Sequence, residues 1–352
     1  MRIFIVTVYI TLYSVNVQAQ KWGIELHTQK AQVFRGAQAI ARGIPQAIEL
    51  RILKSTTGDK WWHAPHQFPR FGVNINYLDF NDPNLGQSLS AQFTGERSII
   101  KKKHWQFNFL AGMGIAWITN PFDRISNNKN IMLSGNLNSS WIANFSLAWK
   151  VKPPWQLLFE VGIIHYSNGA VQLPNQGINL ATASIGIGYR PVVRKATQVI
   201  DEQKLNNPKI SKRTTWLLRS SIGFVERYPT SGFKYRVYGL HLTRQQRWGK
   251  VTFWQLGLEA FYNTWLYEFT RPEEQANARR VGFNAGLGWT AGRIQGDISL
   301  GVYLYKPQAI DTQLYERYGL RFFVTPQIFT SFHVKSQRGS VDNLEFGAGW
   351  RF

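Results

Sequence analysis

Hydrophobic and polar residues alternate along much of this chain with a period of two, the pattern of strands that have one apolar face. The segment at residues 104–118 shows this pattern most clearly. Its apolar face carries Trp105, Phe107, Phe109, Ala111, Met113, Ile115 and Trp117. A strand of this length crosses a bilayer, and tryptophan at both ends suits the two membrane interfaces. The alternation recurs at residues 137–150, 250–264 and 293–305, so the pattern predicts transmembrane β-strands.

The full set of such segments predicts an all-β fold, a closed antiparallel transmembrane β-barrel of about 14–16 strands. The predicted strands are 22–28, 46–53, 70–79, 87–98, 104–118, 137–150, 155–167, 178–190, 213–226, 232–245, 250–264, 280–290, 293–305, 317–325, 327–336 and 342–352. The first two are weakly patterned, and Pro326 marks either a turn or a kink. Even strand numbers of this size are typical of bacterial single-chain barrels.

A polar stretch divides the predicted strands into two groups of about eight. Residues 191–212 contain Pro191 and Pro208, carry mixed charges and show no alternation, so we predict a periplasmic connection there. Either one large barrel over 20–352 or two smaller barrels on the two sides of this connection would fit the pattern. We favour one barrel, because no independent export or closure signal marks residue 190.

Both ends of the sequence resemble export signals. Arg2, an apolar run and small residues before Gln20 predict a signal peptide at 1–19. The last predicted strand places Leu344, Phe346, Ala348, Trp350 and Phe352 on one face. Its aromatic final residue resembles the insertion signal of outer-membrane barrels. We therefore expect a multi-pass barrel in the bacterial outer membrane.

The composition narrows the possible partners. The chain has 352 residues, no cysteine and a formal charge of +21. The lack of cysteine excludes disulfides and thiolate metal sites. A chain with so high a positive charge suggests a polyanionic partner. Export argues against nucleic acid, whereas the anionic lipid of the outer membrane offers a negative counter-charge. The densest basic run, Lys101–Lys103, is expected to be a solvated turn.

A candidate catalytic pair lies at the end of one predicted strand. His165 and Ser167 are two residues apart and share a face that is apolar along the rest of the strand. In a membrane barrel that face contacts lipid, so a serine nucleophile there suggests an enzyme acting on lipid. Asn168 or a nearby backbone amide is a candidate oxyanion donor. If the next strand, 178–190, pairs with this one, Asn179 lies across from His165, where its amide oxygen can accept the imidazole N–H.

The segment His165-Tyr166-Ser167-Asn168, followed by Pro174-Asn175-x-Gly177-Ile178, closely resembles the active-site segment of PagL-type lipid A 3-O-deacylases. The resemblance covers roughly residues 20–190 and is strongest at 155–190. It implies an outer-membrane barrel whose lipid-facing triad removes the ester-linked acyl chain at position 3 of lipid A. By this resemblance Ser167 is the nucleophile, His165 the general base and Asn168 the oxyanion contributor, with no metal and no cofactor.

This chain departs from that family pattern in two ways. The position of the family's glutamate holds Asn179, so the charge that would stabilise an imidazolium is missing. Residues 213–352 have no counterpart in the shorter members, which leaves their role open. We expect an outer-membrane serine esterase acting on lipid A or lipopolysaccharide. The alternative is a non-catalytic barrel, a channel or structural surface protein, that retains a PagL-like segment.

The remaining polar residues are expected to be structural. His63 and His66 are candidate paired metal ligands, but Pro65 between them and the lack of a nearby acid favour loop residues. Other acids fall on lumen-facing positions, where we expect solvation or pairing with arginine; these are Glu160, Glu259 and Asp297. Glu25 and Glu96 are conceivable replacements for the missing acid, but no spacing brings them to His165.

Overall fold

The computed structural model describes residues 21–34, 43–191, 214–229, 231–269, 277–308 and 310–352. The first eight strands are β1 (Trp22–Val33), β2 (Gln46–Ser55), β3 (Arg70–Asp79), β4 (Gln87–Lys101), β5 (Trp105–Ile118), β6 (Leu137–Lys152), β7 (Trp155–Ser167) and β8 (Ile178–Tyr189). The other eight are β9 (Thr214–Val225), β10 (Tyr235–Arg247), β11 (Thr252–Asn263), β12 (Arg279–Ala291), β13 (Ile294–Tyr305), β14 (Leu314–Phe323), β15 (Ile328–Gln337) and β16 (Ser340–Arg351). One short helix, α1 (Leu266–Phe269), follows β11.

These elements confirm the all-β class and the closed antiparallel barrel architecture. Each predicted strand corresponds to an observed one, including the two weakly patterned strands at the start of the chain. Pro326 lies in the turn between β14 and β15 and does not kink a strand.

The sixteen strands form two barrels of eight, so the preferred single barrel is wrong. β1 pairs with β8, from Ile24 opposite Tyr189 to Val33 opposite Leu180, and β9 pairs with β16. Alternation records only the face that each residue takes, and that is the same in one large barrel as in two small ones. Closure depends instead on pairing between strands far apart in sequence. The predicted signal peptide and residues 192–212 of the predicted connection lie outside the described residues.

Both barrels expose apolar side chains on their outer walls. On β7, the outward residues Leu157, Phe159, Val161 and Ile163 are 42–61% exposed. A surface so apolar is typical of a barrel surrounded by lipid. No helix in the described part of the chain is long and apolar enough to span a membrane.

Charged and polar side chains fill both interiors. In the first barrel, Arg51 donates to both carboxylate oxygens of Glu160 at 2.7 Å. In the second barrel, Arg317 pairs with Glu259 and with Glu345. Eight strands leave an interior that side chains can fill. Both barrels are therefore packed around polar cores.

The two barrels lie side by side with the same ends together. We call the end with the β7–β8 loop (residues 168–177) the loop end, and the end where β8 finishes and β9 starts the linker end. At the loop end, the backbone N–H of Glu226 donates to the carbonyl of Ala170 at 2.9 Å. At the linker end, His66 Nε2 lies 2.8 Å from the carbonyl oxygen of Thr290. The second barrel thus touches the first beside the candidate catalytic strand.

Candidate active site

The β7–β8 hairpin places His165 and Asn179 directly across from each other. Their side chains form a hydrogen bond of 2.8 Å between His165 Nδ1 and Asn179 Oδ1. Because an amide oxygen only accepts, Nδ1 carries the proton in this bond. The other ring nitrogen, Nε2, is then the free base. The pair orients a neutral imidazole on the outer wall of the barrel.

The Ser167 hydroxyl is held by the loop that follows it. Its oxygen accepts hydrogen bonds from the Gly169 backbone N–H at 3.1 Å and from Asn175 Nδ2 at 2.9 Å. Alternation places Ser167 on the same outward face as His165, yet only 4% of its surface is exposed. The loop therefore covers the Ser167 hydroxyl in this conformation and supplies two N–H donors to its oxygen.

Asn168 supports this loop through different contacts from those expected. Its side-chain amide donates to Ser134 Oγ at 3.1 Å and to the Gln172 carbonyl at 2.9 Å, so it is not directed at Ser167. Its backbone N–H donates to Asn175 Oδ1 at 3.1 Å. Asn168 thereby orients the amide of Asn175, which reaches the hydroxyl. The presence of Asn175 in the family-like segment was the sequence signal for this contact.

A glycine gives the imidazole room. Gly177 has φ +73°, a conformation that favours glycine, and a Cβ there would lie 2.9 Å from His165 Cε1. A larger residue would strain the backbone and press against the ring. Gly177 therefore explains part of the Pro-Asn-x-Gly segment in physical terms.

The neighbouring strand β6 buttresses the end of β7. Trp141 lies opposite His165, and its indole N–H donates to Ser139 Oγ at 3.2 Å. Ser139 Oγ in turn donates to the Ser167 carbonyl at 2.6 Å. These bonds fix the backbone of Ser167 from the side opposite to Asn179.

The acids expected to be structural pair with arginine inside the barrels. Glu160 binds Arg51, Glu259 binds Arg317 and Asp297 binds Arg321. Glu25 and Glu96 both bind Arg70 in the first interior, so neither acts as the missing acid.

One interior group has the composition of a metal site. The ligand atoms of Glu25, His27 and Glu160 all lie within 4.8 Å of one another. Arg51 already binds both oxygens of Glu160 and lies 3.8 Å from Glu25. A guanidinium therefore supplies the positive charge that a metal would bring.

His63 and His66 do not point at a common ligand. His63 Nδ1 accepts from the Gly58 backbone N–H at 3.2 Å, inside its own loop. His66 Nε2 instead contacts Thr290 of the second barrel. His63 therefore serves its own loop, and His66 contributes to the contact between the barrels.

Comparisons with known proteins bear on this site. Residues 46–188 match the family model described as lipid A 3-O-deacylase (PagL). Residues 214–352, whose role was open, match the model described as acyloxyacyl hydrolase, C-terminal domain. No curated protein sequence matches the chain.

Several solved structures are similar to this chain. The outer membrane enzyme PagL is 18% identical, with a TM-score of 0.32, and the match covers 46% of this chain and 97% of that one. Neisserial surface protein A is 12% identical, with a TM-score of 0.31 and coverage of 48% and 96%. Omp33 of Acinetobacter baumannii is 10% identical, with a TM-score of 0.17 and coverage of 95% and 99%.

The two family models together match more than half of the 352 residues, one in each barrel. The chain belongs to the PagL family of lipid A 3-O-deacylases, β-barrels of the bacterial outer membrane.

Proposed function

We propose that this protein is an outer-membrane serine esterase that hydrolyses an acyl ester of lipid A or a related lipopolysaccharide. The observation that carries the proposal is the His165–Asn179 bond on the outer wall, two residues from Ser167, in a chain of this family. A base and a nucleophile on a lipid-facing wall suit a substrate that arrives by lateral diffusion in the membrane. We assign Ser167 as the nucleophile, His165 as the base and Asn179 as the residue that orients the base.

The resting contacts of Ser167 suggest how the site becomes reactive. Gly169 and Asn175 donate to its hydroxyl oxygen. Catalytic hydrogen bonds often tighten only when substrate binds. Rotation of the Ser167 side chain toward His165 Nε2 would release both donors. They would then be free to stabilise the negative charge that develops on the acyl carbonyl oxygen. In this mechanism Asn168 acts through Asn175.

The reaction then follows the two steps of serine esterases. Ser167 Oγ attacks the acyl carbonyl carbon while its proton passes to His165 Nε2. The tetrahedral intermediate collapses, the ester bond breaks, and His165 returns the proton to the departing sugar oxygen. Water gives a proton to His165 Nε2 and attacks the acyl-enzyme; the bond between the acyl carbon and Ser167 Oγ then breaks, His165 returns the proton to Oγ, and the fatty acid leaves. These steps need no metal and no cofactor.

Asn179 affects the expected rate. Its amide oxygen holds the tautomer and the orientation of His165, but it carries no charge to stabilise the imidazolium that forms. We therefore expect a slower enzyme than one with a glutamate here, with the same nucleophile.

Mass spectrometry of lipid A after incubation with the purified protein in vesicles tests the proposal. We expect the loss of one hydroxyacyl chain from lipid A, and Ser167→Ala should abolish this loss while the protein stays folded. The matched control is Ser220→Ala, which removes an exposed hydroxyl from the outer wall of the second barrel and should leave the acyl loss unchanged. The absence of acyl loss from lipid A and from other ester lipids would overturn the proposal.

The non-catalytic channel remains the competing function, and planar-bilayer conductance measures it. The packed polar interiors disfavour it, because Arg51 and Glu160 lie across the first interior and Arg317 and Glu259 across the second. Stable ion conductance by a protein without esterase activity would favour the channel.

A further inference from the structure

We propose that Glu226 of the second barrel is a positioning residue for the reaction. It holds the β7–β8 loop (residues 168–177), which carries the two candidate oxyanion donors. Through this residue the second barrel serves the reaction without contacting the substrate. The inference rests on the proposed esterase function, which assigns Gly169 and Asn175 as those donors.

Glu226 directly follows β9 and binds the β7–β8 loop at two points. Its backbone N–H donates to the Ala170 carbonyl at 2.9 Å, and its carboxylate accepts from the Leu173 backbone N–H at 2.5 Å. Ala170 comes directly after Gly169 in the chain. Leu173 comes two residues before Asn175. Glu226 therefore binds the segment of the loop that joins the two candidate donors.

The second barrel orients the Glu226 carboxylate with groups of its own. The Gly232 backbone N–H donates to it at 2.7 Å and the Ser231 hydroxyl at 3.2 Å, and the Lys234 ammonium lies 3.4 Å away. Only 1% of Glu226 is exposed, so these bonds and the one from Leu173 are shielded from water. Hydrogen bonds to a carboxylate are also stronger than those between neutral groups. The side chain therefore links the second barrel firmly to the loop.

Packing against the second barrel holds the same part of the loop. A Cβ on Gly169 would overlap the Leu344 side chain of β16, so the glycine backbone lies directly against that side chain. Ala170 packs against an apolar cluster of the second barrel. This cluster consists of Val225, Tyr235, Val237, Trp265 and Leu266. The second barrel therefore fixes the backbone beside the Gly169 donor by packing as well as by hydrogen bonds.

The first barrel binds the loop from its other side. Gln172 Nε2 donates to the Ser134 carbonyl at 2.8 Å, and the Gly177 backbone N–H donates to the Met132 carbonyl at 3.0 Å. The loop thus lies between the two barrels and is bound by both. Each barrel therefore contributes to the conformation of the loop, and the second barrel does so through Glu226.

The position of this loop matters for the rate because of what its donors do. An oxyanion donor stabilises the transition state when it is already directed at the place where the charge develops. A small displacement of such a group costs a large factor in rate. Removing the Glu226 side chain takes away the acceptor of the Leu173 N–H, two residues from the Asn175 amide. We therefore expect Glu226 to affect kcat through the loop.

Deacylation kinetics of the full-length protein test this role. Glu226→Ala should lower kcat for lipid A deacylation about tenfold with little change in KM, because the donors act on the charge of the transition state. Glu226→Gln keeps one acceptor oxygen and should lose less. The matched control is Asp342→Asn, which should keep its kcat, since this buried carboxylate binds Arg227 and Lys335 of the second barrel. An unchanged kcat in Glu226→Ala, or an equal loss in Asp342→Asn, would overturn the inference.

A double variant separates positioning from a general loss of stability. If Glu226 acts through the loop donors, Glu226→Ala should lower kcat by a smaller factor in an Asn175→Ala background than in the wild type. A general effect on folding would lower kcat by the same factor in both backgrounds. That result would contradict the positioning role.

Hydrogen–deuterium exchange separates this inference from the proposed function. Glu226→Ala should speed amide exchange in peptides of the β7–β8 loop, where Leu173 loses its acceptor, and Asp342→Asn should not. If the wild type hydrolyses no lipid ester while this exchange pattern holds, Glu226 still fixes the loop and the esterase proposal fails. If the wild type is active and Glu226→Ala changes neither the exchange nor kcat, the positioning role fails and the esterase stands.

Discussion

The two barrels each hold a serine, a histidine and a third polar residue, and the set that looks more complete is in the second barrel. There Ser221 Oγ lies 2.9 Å from His241 Nε2, and His241 Nδ1 lies 3.1 Å from Glu259 Oε1. In the first barrel His165 binds Asn179, while Ser167 is turned toward Asn175. Bond geometry alone would choose the interior set.

The location of the two sets favours the one on the outer wall instead. His241 and Glu259 are 2% and 3% exposed inside a filled barrel, and Glu259 is already bound by Arg317 and Tyr315. The free space beside them is about 10 Å³, too small for an ester. His165 stands on the outer wall, where lipid arrives. A catalytic triad therefore needs a surface that its substrate can reach, as well as the right hydrogen bonds.

Removing the two serines separately tests which of the two sets is the active site. Ser167→Ala should lower the rate of lipid A deacylation by at least about 10³-fold, because the proposed nucleophile is lost. Ser221→Ala should leave the rate unchanged, because its hydroxyl serves the interior network. Quantitative mass spectrometry of deacylated lipid A measures both rates.

A covalent probe provides the control for this pair. An organophosphorus ester should label Ser167 in the wild type and leave Ser221 unlabelled, as peptide mapping will show. Label on Ser221, or a rate that falls with Ser221→Ala alone, would move the active site into the second barrel.

The interior of the first barrel should depend on its buried arginine for stability. Arg51 is fully buried and binds Glu160 at 2.7 Å and also Glu49. Arg51→Met would leave these carboxylates unpaired, so we expect a loss of about 3–5 kcal/mol in the free energy of unfolding. Urea unfolding in bilayers measures it. Lys54→Met on the outer face of β2 is the matched control and should change little.

A double variant checks the cause of that loss. Arg51→Met combined with Glu160→Gln should recover part of the stability, because one unpaired charge is removed with its partner. If the double variant is no more stable than Arg51→Met, loss of packing rather than an unpaired charge explains the effect.

Some of this structure was predictable from the chain and some was not. Alternation is a local signal, so β5 was predicted almost to the residue, and parity placed Asn179 across from His165. Closure into two barrels was not predictable, because it rests on long-range pairing such as that of β1 with β8. The same holds for the contact between Gly169 and Leu344, which joins parts of the chain far apart in sequence.

The residue that orients His165 should have a smaller effect on the rate than the nucleophile. Asn179→Ala removes the acceptor for Nδ1–H, so we expect a fall of about 10²-fold in kcat for lipid A deacylation. Asn179→Glu should preserve or raise kcat, because a carboxylate both orients the ring and stabilises its charged form. If Asn179→Glu inactivates the protein while Asn179→Ala does not, Asn179 does not occupy the position of the family's acid.

The smallest effect that we expect is on stability, through His66 at the linker end of the contact between the barrels. At the linker end, burial lowers the pKa of His66, and the nearby Arg97 acts in the same direction. A histidine whose folded pKa lies below its unfolded value of about 6.5 stabilises the fold above that pH. This stability is lost as the pH falls through the folded pKa. Since the ring is only partly buried, we expect less than about 1 kcal/mol. The midpoint temperature of thermal unfolding should therefore fall slightly more between pH 7 and acid pH for the wild type than for His66→Phe. The phenylalanine keeps a ring but cannot titrate. Parallel curves for the two proteins would show that protonation of His66 does not weaken the contact at the linker end.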